Sequence, residues 1–150
     1  VGRRIERLQF QCTTLQQGLQ APQQDDLDWL LELGDSTITY RSRYMARPEW
    51  MPVLDLLVRD DSNPRSVAFQ LKGLNDSLVR LAGDLGPCGA DELVQGIEAL
   101  RSLDPARDLD PASERLSGLL IELQAASLRL SEQLGLRFFS HSLVQQTFAR

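Results

Sequence analysis

The sequence predicts an all-α fold, an antiparallel bundle of about six helices, and three observations carry that reading. Leucines and other apolar residues recur in alternating steps of three and four, the spacing that lays a stripe along one face of a helix. Alternating β-branched runs, the mark of sheets, are absent. The seven prolines and ten glycines cluster between the striped segments, where they act as punctuation. A chain of 150 residues is enough for one domain that buries roughly 70% of its unfolded surface. Its apolar content of 42% and charged content of 25% are those of a globular protein.

The first stripe runs Ile5, Leu8, Cys12, Leu15, Leu19. Val1-Gly2-Arg3-Arg4-Ile5 carries neither an initiator Met nor a Ser, Thr, Asp or Asn start signal, so this helix opens in mid-pattern. The expectation is a single helical domain over 1–150 that is the C-terminal fragment of a longer chain. Ala21-Pro22 closes the helix, because proline disfavours helical geometry in the residue before it. Asp25 and Asp26 open a second helix through Leu27, Leu30, Leu31 and Leu33, where the backbone dipole favours negative charge. Gly34 and Asp35 weaken its end. Thr37 to Tyr40 has strand propensity but no partner strand, so this stretch is expected as helix or irregular turn held by tertiary contacts. Residues 36–50 and 136–150 receive no definite assignment.

Glu49-Trp50-Met51-Pro52 opens a short third helix, Val53 to Val58, with Pro52 in its first turn. Asp60-Asp61-Ser62 is a turn. Asn63-Pro64-Arg65-Ser66 reads as a helix start, Asn63 as cap and Pro64 at the first helical position. The fourth helix follows with Val67, Leu71, Leu74, Leu78, Leu81 and Leu85. A Gly/Pro loop over Gly83 to Ala90 leads to a fifth helix from Asp91, carrying Leu93, Val94, Ile97 and Leu100. Asp104 to Pro111 is an acidic loop. The last helix opens near Pro111 and carries Leu116, Leu119, Leu120, Leu123, Ala126, Leu130 and Leu134. Gly135 is a point of interruption, and Phe138, Phe139, Leu143, Val144 and Phe148 continue the pattern beyond it.

Composition excludes several functions. A formal charge of −5 argues against a nucleic-acid binder, which needs a basic face to displace counterions. No run approaches the ~20 apolar residues of a membrane span and no basic-then-apolar leader is present, so a cytoplasmic protein is expected. Lys72 is the only lysine, so nearly all positive charge sits on arginine, with its bidentate fork; a GC-rich coding sequence would produce the same bias. Cys12 lies on an apolar face, Cys88 in a Gly-Pro loop, and the single histidine, His141, has no ligand partner at metal spacing, so neither a metal nor a cofactor is expected. There is no Gly-x-Ser-x-Gly elbow, phosphate loop or paired-carboxylate arrangement. No catalytic residue can be named, and the chain is not expected to be an enzyme by itself.

Three polar clusters stand out. In Gly2-Arg3-Arg4-Ile5-Glu6-Arg7, Arg3 shares a helix face with Glu6 and Arg7; the plainer reading is a solvated surface. In Thr39-Tyr40-Arg41-Ser42-Arg43-Tyr44, two arginines between two tyrosines in a non-helical stretch offer stacking and donor forks to a phosphate or carboxylate. The competing reading has Tyr40 and Tyr44 plugging the bundle while Arg41 and Arg43 bond helix ends. In Asp60 to Ser66, Asn63 and Pro64 are explained by helix-start chemistry. Arg65, a cation in a first turn, calls for an acidic partner or a ligand.

Together these clusters resemble the C-terminal half of the alpha-E family, predicted all-helical proteins named for a Glu-Arg motif, here Gly2-Arg3-Arg4-Ile5-Glu6-Arg7. Leu33-Gly34-Asp35-Ser36-Thr37-Ile38-Thr39-Tyr40-Arg41-Ser42-Arg43-Tyr44 is similar to the family segment ending in TYRSRY. Val53-Leu54-Asp55-Leu56-Leu57, followed by Asp60 to Val67, is similar to its segment around NPRS. The resemblance implies a bacterial protein. Its relatives lie beside, or are fused to, circularly permuted ATP-grasp proteins, often near transglutaminase-like proteases, and contain an earlier, related helical half. The implied role is a non-catalytic accessory or docking domain of a peptide or amide ligation system. Its partners would be the ATP-grasp protein or the N-terminal helical half, with self-association through leucines that such a half would otherwise cover. The alternative is a bundle whose arginines hold an anionic nucleotide or peptide carboxylate and contribute to catalysis in the full-length protein. In either role the contact residues are Arg3, Glu6, Arg7, Tyr40, Arg41, Arg43, Tyr44, Asn63 and Arg65. A third, structural reading pairs Glu6 with Arg41, Arg43 or Arg65 as an internal strut.

Overall fold

The computed structural model describes residues 1–85 and 90–148, with side chains described outside 84–85 and 138–148. The described residues are helical with no strand: α1 (Gly2–Gln20), α2 (Asp26–Leu33), α3 (Thr37–Tyr44), α4 (Trp50–Leu54) continuing into a π-helical turn (Asp55–Arg59), α5 (Val67–Leu85), α6 (Asp91–Arg101), α7 (Pro105–Asp108) and α8 (Glu114–Phe148). The predicted stripes form the buried faces, except that Leu33 of α2 and Val94 of α6 are exposed. Ile5, Leu8, Cys12, Leu15 and Leu19 of α1 meet Val67, Leu71, Leu74 and Leu78 of α5 and Leu116, Leu120, Leu123 and Leu130 of α8 in one core. Burial pushes the Cys12 thiol up to about 12, so it behaves as a small apolar side chain.

Two short helices exceed the six expected. α7 is a single turn inside the acidic loop, with Pro105 at its start and Asp104 accepting from the Ala106 N–H at 2.9 Å. α3 occupies the stretch of strand propensity. Its first bond, from the Tyr40 N–H to the Ser36 carbonyl, is 2.8 Å, and Tyr40 is buried with its hydroxyl accepting from the Glu49 N–H at 3.2 Å. Those anchors outweigh the β preference of Thr37, Ile38 and Thr39, for which the described residues supply no neighbouring strand.

Three boundaries also move. α5 begins at Val67, not at Pro64, and its cap is Ser66, whose hydroxyl accepts from the Phe69 N–H at 3.0 Å. Gly83 lies within α5, while Cys88 and the rest of the Gly/Pro loop at 86–89 fall outside the described residues. α8 opens at Glu114, with Ser113 accepting from the Leu116 N–H at 3.2 Å, and passes Gly135 without a break. The packing of Phe138, Phe139, Leu143, Val144 and Phe148 lies outside the described side chains.

The end of α2 shapes the surface beside α5. Gly34 closes the helix. Asp35 then adopts the left-handed region (φ 46°), and the Ser36 N–H reaches back to the Leu31 carbonyl at 2.8 Å. This is the left-handed helix termination that usually takes glycine and tolerates few other side chains. It turns the Asp35 carboxylate outward beside the segment that precedes α5.

Candidate functional site: a groove built from the motif segments

One open groove, with a cavity volume of ≈ 210 Å³, draws on all three motif segments. One wall is α1, which presents Glu6, Arg7, Phe10 and Gln11; the other is Leu33 and Gly34 at the end of α2, with Pro64 and Arg65 ahead of α5. An apolar hollow floored by Leu15, Leu30 and Leu57 adjoins it. Phe10 is 56% exposed and Leu33 40%, so two large apolar side chains face solvent across the groove.

The arginine wall is held from behind. The Asn63 amide donates to the Leu56 carbonyl at 3.0 Å and to the Ser36 hydroxyl at 3.3 Å, while its oxygen accepts from the Arg65 N–H at 3.1 Å. Gln11 donates to the Arg65 carbonyl at 2.7 Å and Gln70 to the Pro64 carbonyl at 2.7 Å. Asn63 is therefore an internal anchor for the loop and not the helix cap its position suggested. Arg65, which called for an acidic partner, finds one: its guanidinium donates to Asp35 at 2.7 Å. The pair is solvent-exposed and contributes little stability, but it fixes the guanidinium at the groove.

The other sites expected from sequence separate. Glu6 and Arg7 are exposed and, among the described residues, make no ion pair or hydrogen bond, as does Arg3, which lies outside the groove. The strut between Glu6 and Arg41, Arg43 or Arg65 does not form: Asp35 and Asp60 pair with Arg65 and Arg43, and Arg41 makes no ion pair among the described residues. Arg43 bonds Asp60 and, at 3.2 Å, Ser62, bracing α3 against the turn before α5. Burial raises the Asp60 carboxyl, but the bonds from Ser62 and Arg43 outweigh it and hold the group below its ordinary range. Tyr40 plugs the core; Tyr44 stays at the surface, its ring 4.7 Å from that of Tyr40. Both sit in helix α3, the helical one of the two alternatives expected for this stretch, and Arg41 is exposed away from the groove.

Phe10, Gln11, Leu33 and Asp35 are groove residues the motif reading did not single out. Phe10 carried a signal, since it is a large apolar residue off the α1 stripe. Arg4 was a further omission. Its guanidinium sits 6.0 Å over the Phe69 ring and against Gly73, where an added Cβ would meet Arg4 Nη1 at 2.4 Å. Among the described residues no cluster of His, Cys, Asp and Glu could hold a metal, and no helix is long and apolar enough to cross a membrane. Cys88 and the His141 side chain lie outside the described residues.

These features define an all-helical bundle domain with a surface groove assembled from its Glu-Arg and Asn-Pro-Arg segments. The chain belongs to the alpha-E family, described as a predicted alpha-helical domain with a conserved ER motif, which matches residues 1–139. It is 30% identical over 138 residues to an uncharacterized protein of Mycobacterium bovis and to uncharacterized proteins of two Mycobacterium tuberculosis strains. Each alignment covers 86% of this chain and 16% of the relative, so the chain spans about a sixth of the length of these curated relatives. No solved structure matches it.

Proposed function

We propose that this domain is an accessory docking module, that the groove is its contact surface, and that its partner is the ATP-grasp protein of a bacterial peptide or amide ligation system. The observation that carries the docking role is the convergence of three motif segments, distant along the chain, on one groove with unpaired charge (Glu6, Arg7) beside exposed apolar side chains (Phe10, Leu33). That mixture suits a protein segment placing an apolar residue between Phe10 and Leu33 and an acid against Arg7. The identity of the partner rests on the family resemblance.

The same geometry speaks less for an anion pocket. Arg43 and Arg65 are already answered by Asp60 and Asp35, and Glu6 places a like charge beside any incoming anion. A nucleotide or peptide carboxylate held at 100 times its dissociation constant would add about 2.7 kcal/mol and raise Tm visibly; on this proposal ATP, ADP and short peptides leave Tm unchanged. The direct test is calorimetry of the chain with an ATP-grasp protein of the kind the family resemblance implies. Binding is expected, and Phe10→Ser and Arg7→Ala should each weaken it about tenfold or more. Absence of heat at every ratio, or variants that bind like the parent, would overturn the proposal.

A further inference from the structure

We infer that a second cleft, away from the groove, binds a small organic carboxylate bearing a short apolar group. It lies where the π-helical turn, the start of α5 and the end of α6 meet, and three cations from these three elements face it: Arg59, Lys72 and Arg101. Its floor is apolar, from Ala68, Ile97 and the buried Leu100. The chain carries a net charge of −5, and its single lysine is placed here.

Helix ends favour cations, which accounts for Arg59 and Arg101 individually, each in the last turn of its helical segment. That preference does not account for their convergence with Lys72 on one hollow. The charges are only partly answered. Arg101 makes no ion pair or hydrogen bond among the described residues. Lys72 reaches Asp61 only at 3.8 Å, and Arg59 reaches Asp55 at 3.5 Å. With both carboxylates counted, the surroundings remain net positive.

Size and polarity select the ligand. The hollow measures ≈ 80 Å³, about half the ~150 Å³ of an engineered cavity that holds benzene. It therefore encloses a handful of heavy atoms, fewer than a nucleotide has. Asp61, itself in the lining, disfavours a dianionic phosphate, and the Ile97–Leu100 floor has no use for one. A monoanionic carboxylate satisfies both features: its oxygens take the Arg101 fork and Lys72, and its apolar substituent lies on Ile97 and Leu100. The C-terminal residue of a peptide and a free short-chain acid share that chemistry.

The test titrates the whole chain with N-acetylvaline, isovalerate, N-acetylvalinamide and inorganic phosphate, following Ile97 and Leu100 methyl and Ala68 amide resonances. The two carboxylates should shift these signals saturably and the amide should not. Arg101→Gln and Lys72→Gln, at exposed positions, should each weaken binding about tenfold, the loss of one charge-assisted bond. Preference for N-acetylvaline identifies a peptide C-terminus as the natural occupant; preference for isovalerate identifies a free acid. Equal binding of the amide, equal binding of phosphate, or no saturable shift would each overturn the inference. Because the groove variants are different residues, this result and the docking result are independent.

Discussion

The dipeptide Glu-Arg occurs twice in this chain, and the two copies have opposite fates. Glu6-Arg7 sits on the solvent face of α1, and neither charge is answered by the described residues. Glu114-Arg115 opens α8, and its arginine is tied into the corner where α6, α7 and α8 meet. There it donates to Asp108 at 3.0 Å and to the Ser102 hydroxyl at 2.8 Å. Asp108 is buried, and it also accepts from the Asp104 N–H at 2.8 Å and from Arg107 at 3.3 Å. The same two residue types thus make a closed structural joint at one place and an open surface at the other. What separates them is whether a carboxylate on a neighbouring element is positioned to receive the guanidinium. An arginine whose charge is spent inside the fold holds the fold; one left unspent beside exposed Phe10 is available to a partner.

The largest stability effect should come from the anchor behind the open site. Asn63→Ala removes the partner of the Leu56 carbonyl and of the Arg65 N–H in a buried setting, a loss of about 2–3 kcal/mol in urea-induced unfolding. It also frees the loop that presents Arg65, so docking should weaken in proportion. A variant of full stability would mean that the loop is held by Gln11 and Gln70 alone.

The closed joint should announce itself in acid. The Asp104 N–H, followed by the Arg107 and Arg115 guanidiniums, holds the Asp108 carboxyl below its ordinary range. A depressed folded-state pKa stabilises the fold above the unfolded-chain value of about 3.9, and the contribution is lost as pH falls from there through the lower folded value. Tm measured against pH should therefore drop on the acid side, and Asp108→Asn should flatten that limb while lowering Tm at neutral pH. An acid limb identical in parent and variant would remove Asp108 as its source.

The stripes were legible in the sequence because burial of leucine obeys helical geometry wherever the partner helix lies, and every α1 stripe residue is in the core. An acid for Arg65 was legible too, though from a first-turn position that Arg65 does not hold, since α5 begins at Val67. Its identity was not: Asp35 becomes available only because α2 ends in a left-handed residue, a tertiary accident of the turn. α3 was ambiguous for a related reason. Thr37, Ile38 and Thr39 favour a strand when taken alone, and what decides the matter is Tyr40 reaching the core with its hydroxyl at Glu49. The groove was half legible. The motif segments pointed to it, but they do not include Phe10, and Glu6 was expected to be a strut.

The smallest effect in this series is also the most telling. Arg7→Ala and Arg115→Ala are the same substitution at the two copies of one dipeptide. Arg115→Ala removes two bonds from the corner and leaves the buried Asp108 one donor short, so Tm should fall measurably. Arg7→Ala removes an exposed side chain with no described partner, and its stability should stay within about 0.5 kcal/mol of the parent. If Arg7→Ala nonetheless abolishes docking, the open copy is kept for recognition and the closed one for architecture. If the two variants unfold alike, the contrast fails: Arg7 would then be part of the fold, and the groove would lose the unspent charge on which the proposed docking rests.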